Sequence, residues 1–174
     1  MTLDPPANPL ARFDASGLRA ARHGVIVACA AELASVRKSR WPLIASLDMY
    51  FWAVRQHRRE TGDRCRLYYS QPRRFPNFLA LKFVVSTRDC SLGTFRRALE
   101  ALDALAELKQ CDAILCDAWN PRLTDRALRR EGWEPHAAMR WHRNYIKRFY
   151  GDYRQERPTS RMALAELAHE EALA

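Results

Sequence analysis

The feature that most constrains the fold is an almost wholly apolar run of nine residues, Phe78 to Ser86 (FLALKFVVS). A strand of this composition is typical of the interior of a sheet that is covered on both faces. The run leads into a segment from about Thr94 to Lys109 with helical periodicity, and a second apolar run, Ala113 to Ala118, follows. The order strand, helix, strand predicts a βαβ unit with parallel strands.

The spacing of apolar residues along this helix predicts its buried face, because positions three and four apart lie on one stripe. The predicted buried stripe consists of Leu92, Phe95, Leu99, Leu102, Leu105 and Leu108. The charged residues Arg96, Arg97, Asp103 and Glu107 are expected in water.

The segment before Phe78 is interpreted as an arm, two helices and a strand. Three prolines in residues 1–14 predict an extended arm. The spacing of apolar residues favours a helix over residues 15–36, although Val25 to Val27 alone could form a strand. A second helix is predicted from Trp41 to Val54 with a basic end, and the run from Cys65 to Ser70 is predicted as a strand that neighbours Phe78 to Ser86.

The C-terminal part of the chain continues the same alternation. A helix is predicted from Leu123 to Arg130, ending at Gly132, and a strand within Met139 to Tyr150. We therefore expect a single α/β domain over residues 15–151. Residues 152–174 are expected to form a linker and a short helix.

The charge balance points to an anionic partner, since 29 Lys and Arg residues against 20 Asp and Glu residues give a net charge of +9. No run of about 18 apolar residues is present and the N-terminus lacks the apolar core of a signal peptide, so we expect a cytoplasmic protein without a membrane partner. Five cysteines without a C-x-x-C pair predict reduced thiols. The five histidines lack metal-ligand spacing, so no metal site is expected.

The loop that follows Phe78 to Ser86 is a candidate phosphate site, because it opens a helix next to a glycine and three arginines. Its candidate binding residues are Ser86, Arg88, Ser91, Gly93, Thr94, Arg96 and Arg97. The alternative is that Arg96 and Arg97 belong to a solvated helix face.

A second candidate site follows Ala113 to Ala118, where Asp117 emerges at the rim of the sheet. A carboxylate there can accept a proton from an amine. The alternative is that Asp117 and Asn120 cap the next helix or form a turn.

The segment from about Phe78 to Tyr150 resembles the GNAT-type N-acyltransferase superfamily. The resemblance rests on FLALKFVVS, on STRDCSLGTFRRALEALDAL, on CDAILCDAWN and on RLTDRALRREGW, which ends in the pair Gly132-Trp133. It implies a GNAT-like mixed central sheet flanked by helices. It also implies that the two strands splay apart and hold the pantetheine of acetyl-CoA or another acyl-CoA between them, with Val84 and Asn120 among the binding residues. The pyrophosphate would then lie on the loop from Arg88 to Thr94.

The resemblance also bears on catalysis. The tyrosine that many members use as a general acid corresponds to Leu128, so another acid is required. Asp117 is the candidate base, and the candidate acids are His136 and His142, with Tyr145 and Tyr68 as further phenol donors.

The sequence thus favours a GNAT-like protein that binds acyl-CoA and transfers an acyl group to an amine acceptor. A basic nucleic-acid-binding module is the alternative, because residues 37–74 carry a net charge of +7 and residues 140–150 interleave aromatic and cationic side chains. A catalytically inactive GNAT-like scaffold with a protein partner is a third hypothesis.

Overall fold

The fold is built on seven described strands and three described helices. The structure is a computed structural model that describes residues 8–39, 55, 61–118, 124–137 and 143–153. The strands are β1 (His23–Cys29), β2 (Glu32–Lys38), β3 (Arg64–Ser70), β4 (Phe78–Ser86), β5 (Ala113–Asp117), β6 (Glu134–Pro135) and β7 (Asn144–Arg148). The helices are α1 (Ala15–Ala20), α2 (Leu92–Leu108) and α3 (Asp125–Arg130).

The strands form one mixed sheet in the order β2-β1-β3-β4-β5-β7-β6. The strands β4 and β5 pair in parallel, whereas the other neighbours pair antiparallel. The predicted α/β class with a mixed central sheet is therefore confirmed, as are the βαβ unit and the central position of β4. None of the described helices is long and apolar enough to cross a membrane.

The helix α2 packs its apolar face against the sheet. Leu99, Leu102 and Leu105 are buried as predicted, and the Ser91 side chain caps the first turn by accepting from the Thr94 amide. Two expectations for this helix are wrong. Leu92 is 60% exposed because it is the first residue of the helix. The Asp103 side chain is only 17% exposed and lies against β7, where Lys147 Nζ is 2.7 Å from its Oδ2 atom.

The predicted helix over residues 15–36 is also wrong. Only Ala15–Ala20 is helical, and β1 and β2 form a hairpin in which every second residue of β1, including Ile26, is buried. The two-residue turn consists of Ala30 and Ala31, whose φ angles are 49° and 60°. Such turns normally carry Asn-Gly, so two alanines are no local signal of a hairpin.

The C-terminal elements follow the predicted order. The end of α3 is a Schellman motif in which Trp133 donates to the Leu128 carbonyl and Gly132, at φ 81°, donates to the Arg129 carbonyl. Leu128 and Trp133 are both buried, so this helix end is part of the core. The strand predicted within Met139 to Tyr150 is confirmed as β7.

Some predicted segments have a different outcome. In the predicted N-terminal arm, residues 8–13 form turns and Leu10 is buried in the core, so this part is not extended. The predicted helix from Trp41 to Val54 and the C-terminal segment from residue 154 onward lie outside the described residues.

Candidate functional site

The strands β4 and β5 pair over only part of the length of β4. Their register runs from Phe78 opposite Ala113 to Leu81 opposite Cys116, whereas β4 continues for five more residues. Beyond Leu81, the edge of β4 that faces β5 pairs with none of the described strands. The strand β5 itself ends at Asp117, one residue after this last pair, so the last five residues of β4 extend beyond their parallel partner. They lie at the carboxyl end of the sheet, where ligands of α/β proteins commonly bind.

A bulge in β4 marks the point where this pairing stops. Tyr69 pairs with Leu81 and Tyr68 pairs with Phe83, so Lys82 is the extra residue of the bulged strand and is exposed. After the bulge, Val84 is opposite Leu67 and packs against the core. A bulge bends the strand that contains it, and this bend lies directly after the last pair of β4 with β5.

The loop after β4 is held against the turn that precedes β3. The Thr87 hydroxyl accepts from the Arg64 amide at 3.0 Å and donates to the Gly62 carbonyl. At the start of α2, Asp63 occupies the position predicted for a phosphate: its Oδ1 accepts from the Ser91 amide at 2.8 Å and its Oδ2 accepts from the Ser91 hydroxyl at 2.7 Å. Hydrogen bonds from Thr94 and Ser91 lower the pKa of the Asp63 carboxyl.

Thr94 is a packing residue rather than an open binding group. Its side chain is fully buried, and its Oγ1 atom accepts from the Ala31 amide of the β1–β2 turn at 2.7 Å. Gly93 is exposed beside it, and a Cβ atom at Gly93 would lie 3.4 Å from the Ala31 Cβ. The described residues supply no hydrogen-bond acceptor for the amides of Leu92 and Gly93.

Two of the three arginines near this loop are engaged within the chain. Arg96 Nε lies 2.8 Å from Glu131 Oε1, and Arg97 Nη1 lies 3.1 Å from Glu100 Oε2. Arg88 is exposed and has no ion pair with a described residue. Arg88 is therefore the guanidinium that remains for an external anion.

The predicted catalytic residues Asp117 and His136 lie at the same end of the sheet. Asp117 is half-buried at the end of β5 and pairs with Asn144 of β7, whose carbonyl accepts from the His136 amide at 2.9 Å. Two strand spacings separate their backbones, about 10 Å. Burial raises the pKa of Cys116, which precedes Asp117, to about 12. The structure brings Asp117 and His136 to one rim but not into contact; His142 and Asn120 lie outside the described residues.

The hydroxyl of Tyr145, one of the candidate phenol donors, lies in a cluster with Arg143 and Asp125, two partners that sequence reasoning did not indicate. Tyr145 Oη and Arg143 Nη2 both donate to Asp125 Oδ1, the latter at 2.7 Å. The hydrogen bonds from Tyr145 and Arg143 lower the pKa of Asp125, whereas burial raises the pKa of Tyr145. Tyr145 thus keeps its proton and fixes β7 to the start of α3. The position of Asp125 next to the helix cap at Thr124 was the only sequence signal.

The described part of the interleaved segment 140–150 is largely engaged in the fold. Tyr145 and Phe149 are buried, while Lys147 and Arg148 form ion pairs with Asp103 and Glu134. Of its described aromatic side chains, Tyr150 is the exposed one. These contacts match a role in packing, so β7 offers little support for stacking on nucleic-acid bases.

No three His, Cys, Asp or Glu side chains are arranged to hold a metal ion in the part of the chain that the structure describes. We also compared the chain with protein-family models, with curated proteins and with solved structures, and none of them matched it. A functional proposal for this chain therefore depends on the geometry of its own residues.

Proposed function

We propose that β4 and β5 diverge beyond Leu81 and Cys116, and that the chain binds acyl-CoA in the gap between them and transfers the acyl group to an amine. The observation that carries this proposal is the end of parallel pairing at Leu81 and Cys116, while β4 runs on to Ser86. Backbone amides and carbonyls on that edge of β4 would pair with the two amide groups of a pantetheine chain, in the way that they would pair with a neighbouring strand. The resemblance of Phe78 to Tyr150 to N-acyltransferases supports the same ligand.

The phosphate end of the ligand would use a smaller set of groups than the sequence suggested. Asp63 already accepts from the Ser91 amide and hydroxyl, and Arg96 and Arg97 are ion-paired. The groups that remain are the amides of Leu92 and Gly93 and the Arg88 guanidinium. The Asp63 carboxylate lies beside them, so it disfavours an anion there by like-charge repulsion. We therefore infer modest affinity for the pyrophosphate.

Acyl transfer in this gap needs one base and one acid. The amine nitrogen attacks the thioester carbonyl, the new C–N bond forms and the C–S bond breaks. Asp117, half-buried at the end of β5, would accept the amine proton directly or through a water molecule. His136, about 10 Å away along the rim, would return a proton to the departing thiolate.

Calorimetry with acetyl-CoA tests the binding step. We expect saturable binding that weakens about tenfold in Arg88→Gln, because a hydrogen bond to a charged group contributes about 1.5 kcal/mol. The matched control is Arg74→Gln, which removes an equal charge from an exposed position on the loop between β3 and β4. Absence of binding at millimolar acetyl-CoA, or equal weakening by both variants, would overturn the proposal.

The transfer step has its own test. Release of free thiol from acetyl-CoA is followed in the presence of a panel of primary amines, including spermidine, lysine and glucosamine. The Asp117→Asn variant should retain acetyl-CoA binding and lose thiol release, since the amide cannot accept the proton. If Asp117→Asn released thiol at the wild-type rate, Asp117 would not be the base.

A further inference from the structure

A second cleft opens at the end of the sheet opposite to the loop that follows β4. Its volume is about 570 Å³, and the residues relevant here are Arg22, His23, Ser70, Gln71, Pro72 and Arg73. It lies where β1 begins and β3 ends, since His23 pairs with Ser70. The strand β3 pairs Ser70 with Ala80 and Cys65 with Ser86, so about 20 Å of β4 separates the cleft from the phosphate loop.

The cleft carries positive charge that the described residues do not neutralise. Arg22 and Arg73 are exposed, and neither forms an ion pair with a carboxylate of the described residues. Both guanidiniums contribute to a lowered pKa of His23, although burial of the imidazole is the largest cause. The ion pairs of Arg96 and Arg143 with Glu131 and Asp125 show the contrast, because those guanidiniums are compensated.

The two arginines come from chain segments that hydrogen bonds hold in place. The Gln71 amide donates to the Arg22 carbonyl at 2.7 Å, which ties the end of β3 to the residue before β1. Lys109 Nζ donates to the Ala21 carbonyl at 2.7 Å and to Gln71 Oε1 at 3.2 Å. These bonds fix the backbone of Arg22 relative to Gln71, and Arg73 follows Gln71 by two residues on the same wall of the cleft. A site held in this way before a ligand arrives loses less entropy on binding.

Two neutral polar groups complete the lining. His23 Nδ1 and Ser70 Oγ lie 3.1 Å apart across the strand pair β1 and β3. A hydroxyl and an imidazole at this distance orient each other and present further hydrogen-bonding capacity to the cleft. Pro72 adds an apolar surface to the same wall.

We propose that this cleft binds the phosphate group of a small phosphate monoester, with Arg22 and Arg73 pairing with its oxygens and Ser70 and His23 hydrogen-bonding to it. Guanidinium groups match the geometry of a phosphate and pair with it through two parallel N–H donors. The cleft volume lies in the range of pockets for small molecules, about 300–1,000 Å³. The ligand is thus a phosphorylated metabolite rather than a long polyanion, and its site is separate from the acyl-CoA gap.

The test is a titration of the full chain, labelled with ¹⁵N, with glucose 6-phosphate at constant ionic strength. Glucose is the control ligand, because it lacks the phosphate. The test variant is the double substitution Arg22→Gln and Arg73→Gln. Its matched control is the double substitution Arg74→Gln and Arg130→Gln, which removes the same charge from two exposed positions outside the cleft.

We expect saturable shifts of the amides of residues 22, 23, 70, 71 and 73 with glucose 6-phosphate and none with glucose. The affinity should fall about tenfold or more in the test variant and stay unchanged in the control. Equal weakening by the two double variants, or shifts that never saturate, would overturn the proposal. Displacement of glucose 6-phosphate by a single-stranded oligonucleotide at equal phosphate concentration would also overturn it, because the cleft would then prefer a long polyanion.

The outcome is independent of the acyl-CoA proposal. Acetyl-CoA is expected to shift amides near residues 83–94, at the far end of β4, whereas glucose 6-phosphate shifts those near residues 22 and 73. Either set can be absent while the other is present, so each titration identifies the proposal that fails.

Discussion

The carboxylate of Asp63 accepts two hydrogen bonds from Ser91, one from its amide and one from its hydroxyl, at the first turn of α2. This contact places a negative charge at the positive end of the helix, as the helix dipole favours. It also joins the turn before β3 to the loop after β4, two segments that are 28 residues apart in the chain. The helix start that resembles a phosphate cradle is thus partly filled by the chain itself.

Replacement of Asp63 tests the strength of this contact. The Asp63 pKa is lowered in the folded state, so its contribution to stability is present above the unfolded value of about 4 and is lost as the pH falls through the folded value. We expect Asp63→Asn to lower the melting temperature at pH 7 and the difference from wild type to shrink below about pH 4. Calorimetric scans from pH 2 to pH 8 measure this. The control is Asp89→Asn, in the loop after β4 that Asp63 contacts. An equal loss of melting temperature in both variants would contradict a stabilising role of the Asp63 contact.

The ion pair between Lys147 and Asp103 is predicted to be a strong link between β7 and α2. The side chains of Lys147 and Asp103 are only 10% and 17% exposed. If one partner is replaced, the other stays buried without its counter-charge. Asp103→Asn should therefore lower the free energy of unfolding by about 3 kcal/mol. The exposed pair of Lys38 and Asp14 is the control, and Lys38→Gln should cost less than about 1 kcal/mol. Urea unfolding of each variant measures its free energy of unfolding. Similar losses in the two variants would show that burial does not determine the strength of these ion pairs.

The turn between β1 and β2 is a site where stability can be gained. Ala30 and Ala31 both have positive φ, which costs an alanine about 1 kcal/mol relative to a residue that tolerates it. The double change Ala30→Asn and Ala31→Gly should raise the free energy of unfolding by about 1–2 kcal/mol, because Asn-Gly suits this turn type. Ala34→Gly, at an exposed position of β2, should lower stability instead. A loss of stability in the turn variant would contradict the assigned backbone geometry.

The cysteines should differ sharply in reactivity. A hydrogen bond from Cys65 lowers the pKa of the half-buried Cys90, whereas burial raises the pKa of Cys111 to about 11 and that of Cys116 to about 12. The thiolate is the reactive form, so iodoacetamide at pH 8 should modify Cys90 well before Cys111 or Cys116. Mass spectrometry of timed samples gives the order. In urea the three rates should converge; faster modification of Cys116 in the native protein would refute the prediction.

The sequence predicted those parts of the fold whose signals are local. Each of these signals predicts one element directly. They are the apolar run of β4, the helical spacing of Leu99, Leu102 and Leu105, and the glycine after α3. The hairpin of β1 and β2 was missed because its turn carries two alanines, and because apolar residues on its strands happen to recur at helical intervals. Tertiary contacts overrode the local preference there.

The candidate site was harder to predict for a different reason. Sequence alone placed the loop and Asp117 at the carboxyl end of the sheet, where both are found. It could not show that Asp63 reaches the helix start or that Glu131 pairs with Arg96, because these partners are distant in the chain. Such contacts decide how much charge remains for a ligand.

The central claim is that the gap between β4 and β5 holds acyl-CoA, and an amide shift map with acetyl-CoA tests it most directly. The ¹⁵N-labelled chain is titrated with acetyl-CoA, and the amide shifts are assigned along both strands. We predict saturable shifts at Phe83 to Ser86 and at Cys116 and Asp117, which flank the gap, with smaller effects at Leu79 and Ile114, where the strands are paired. Binding that leaves the amides of residues 83–86 and 116–117 unshifted, or no binding at millimolar acetyl-CoA, would contradict the claim.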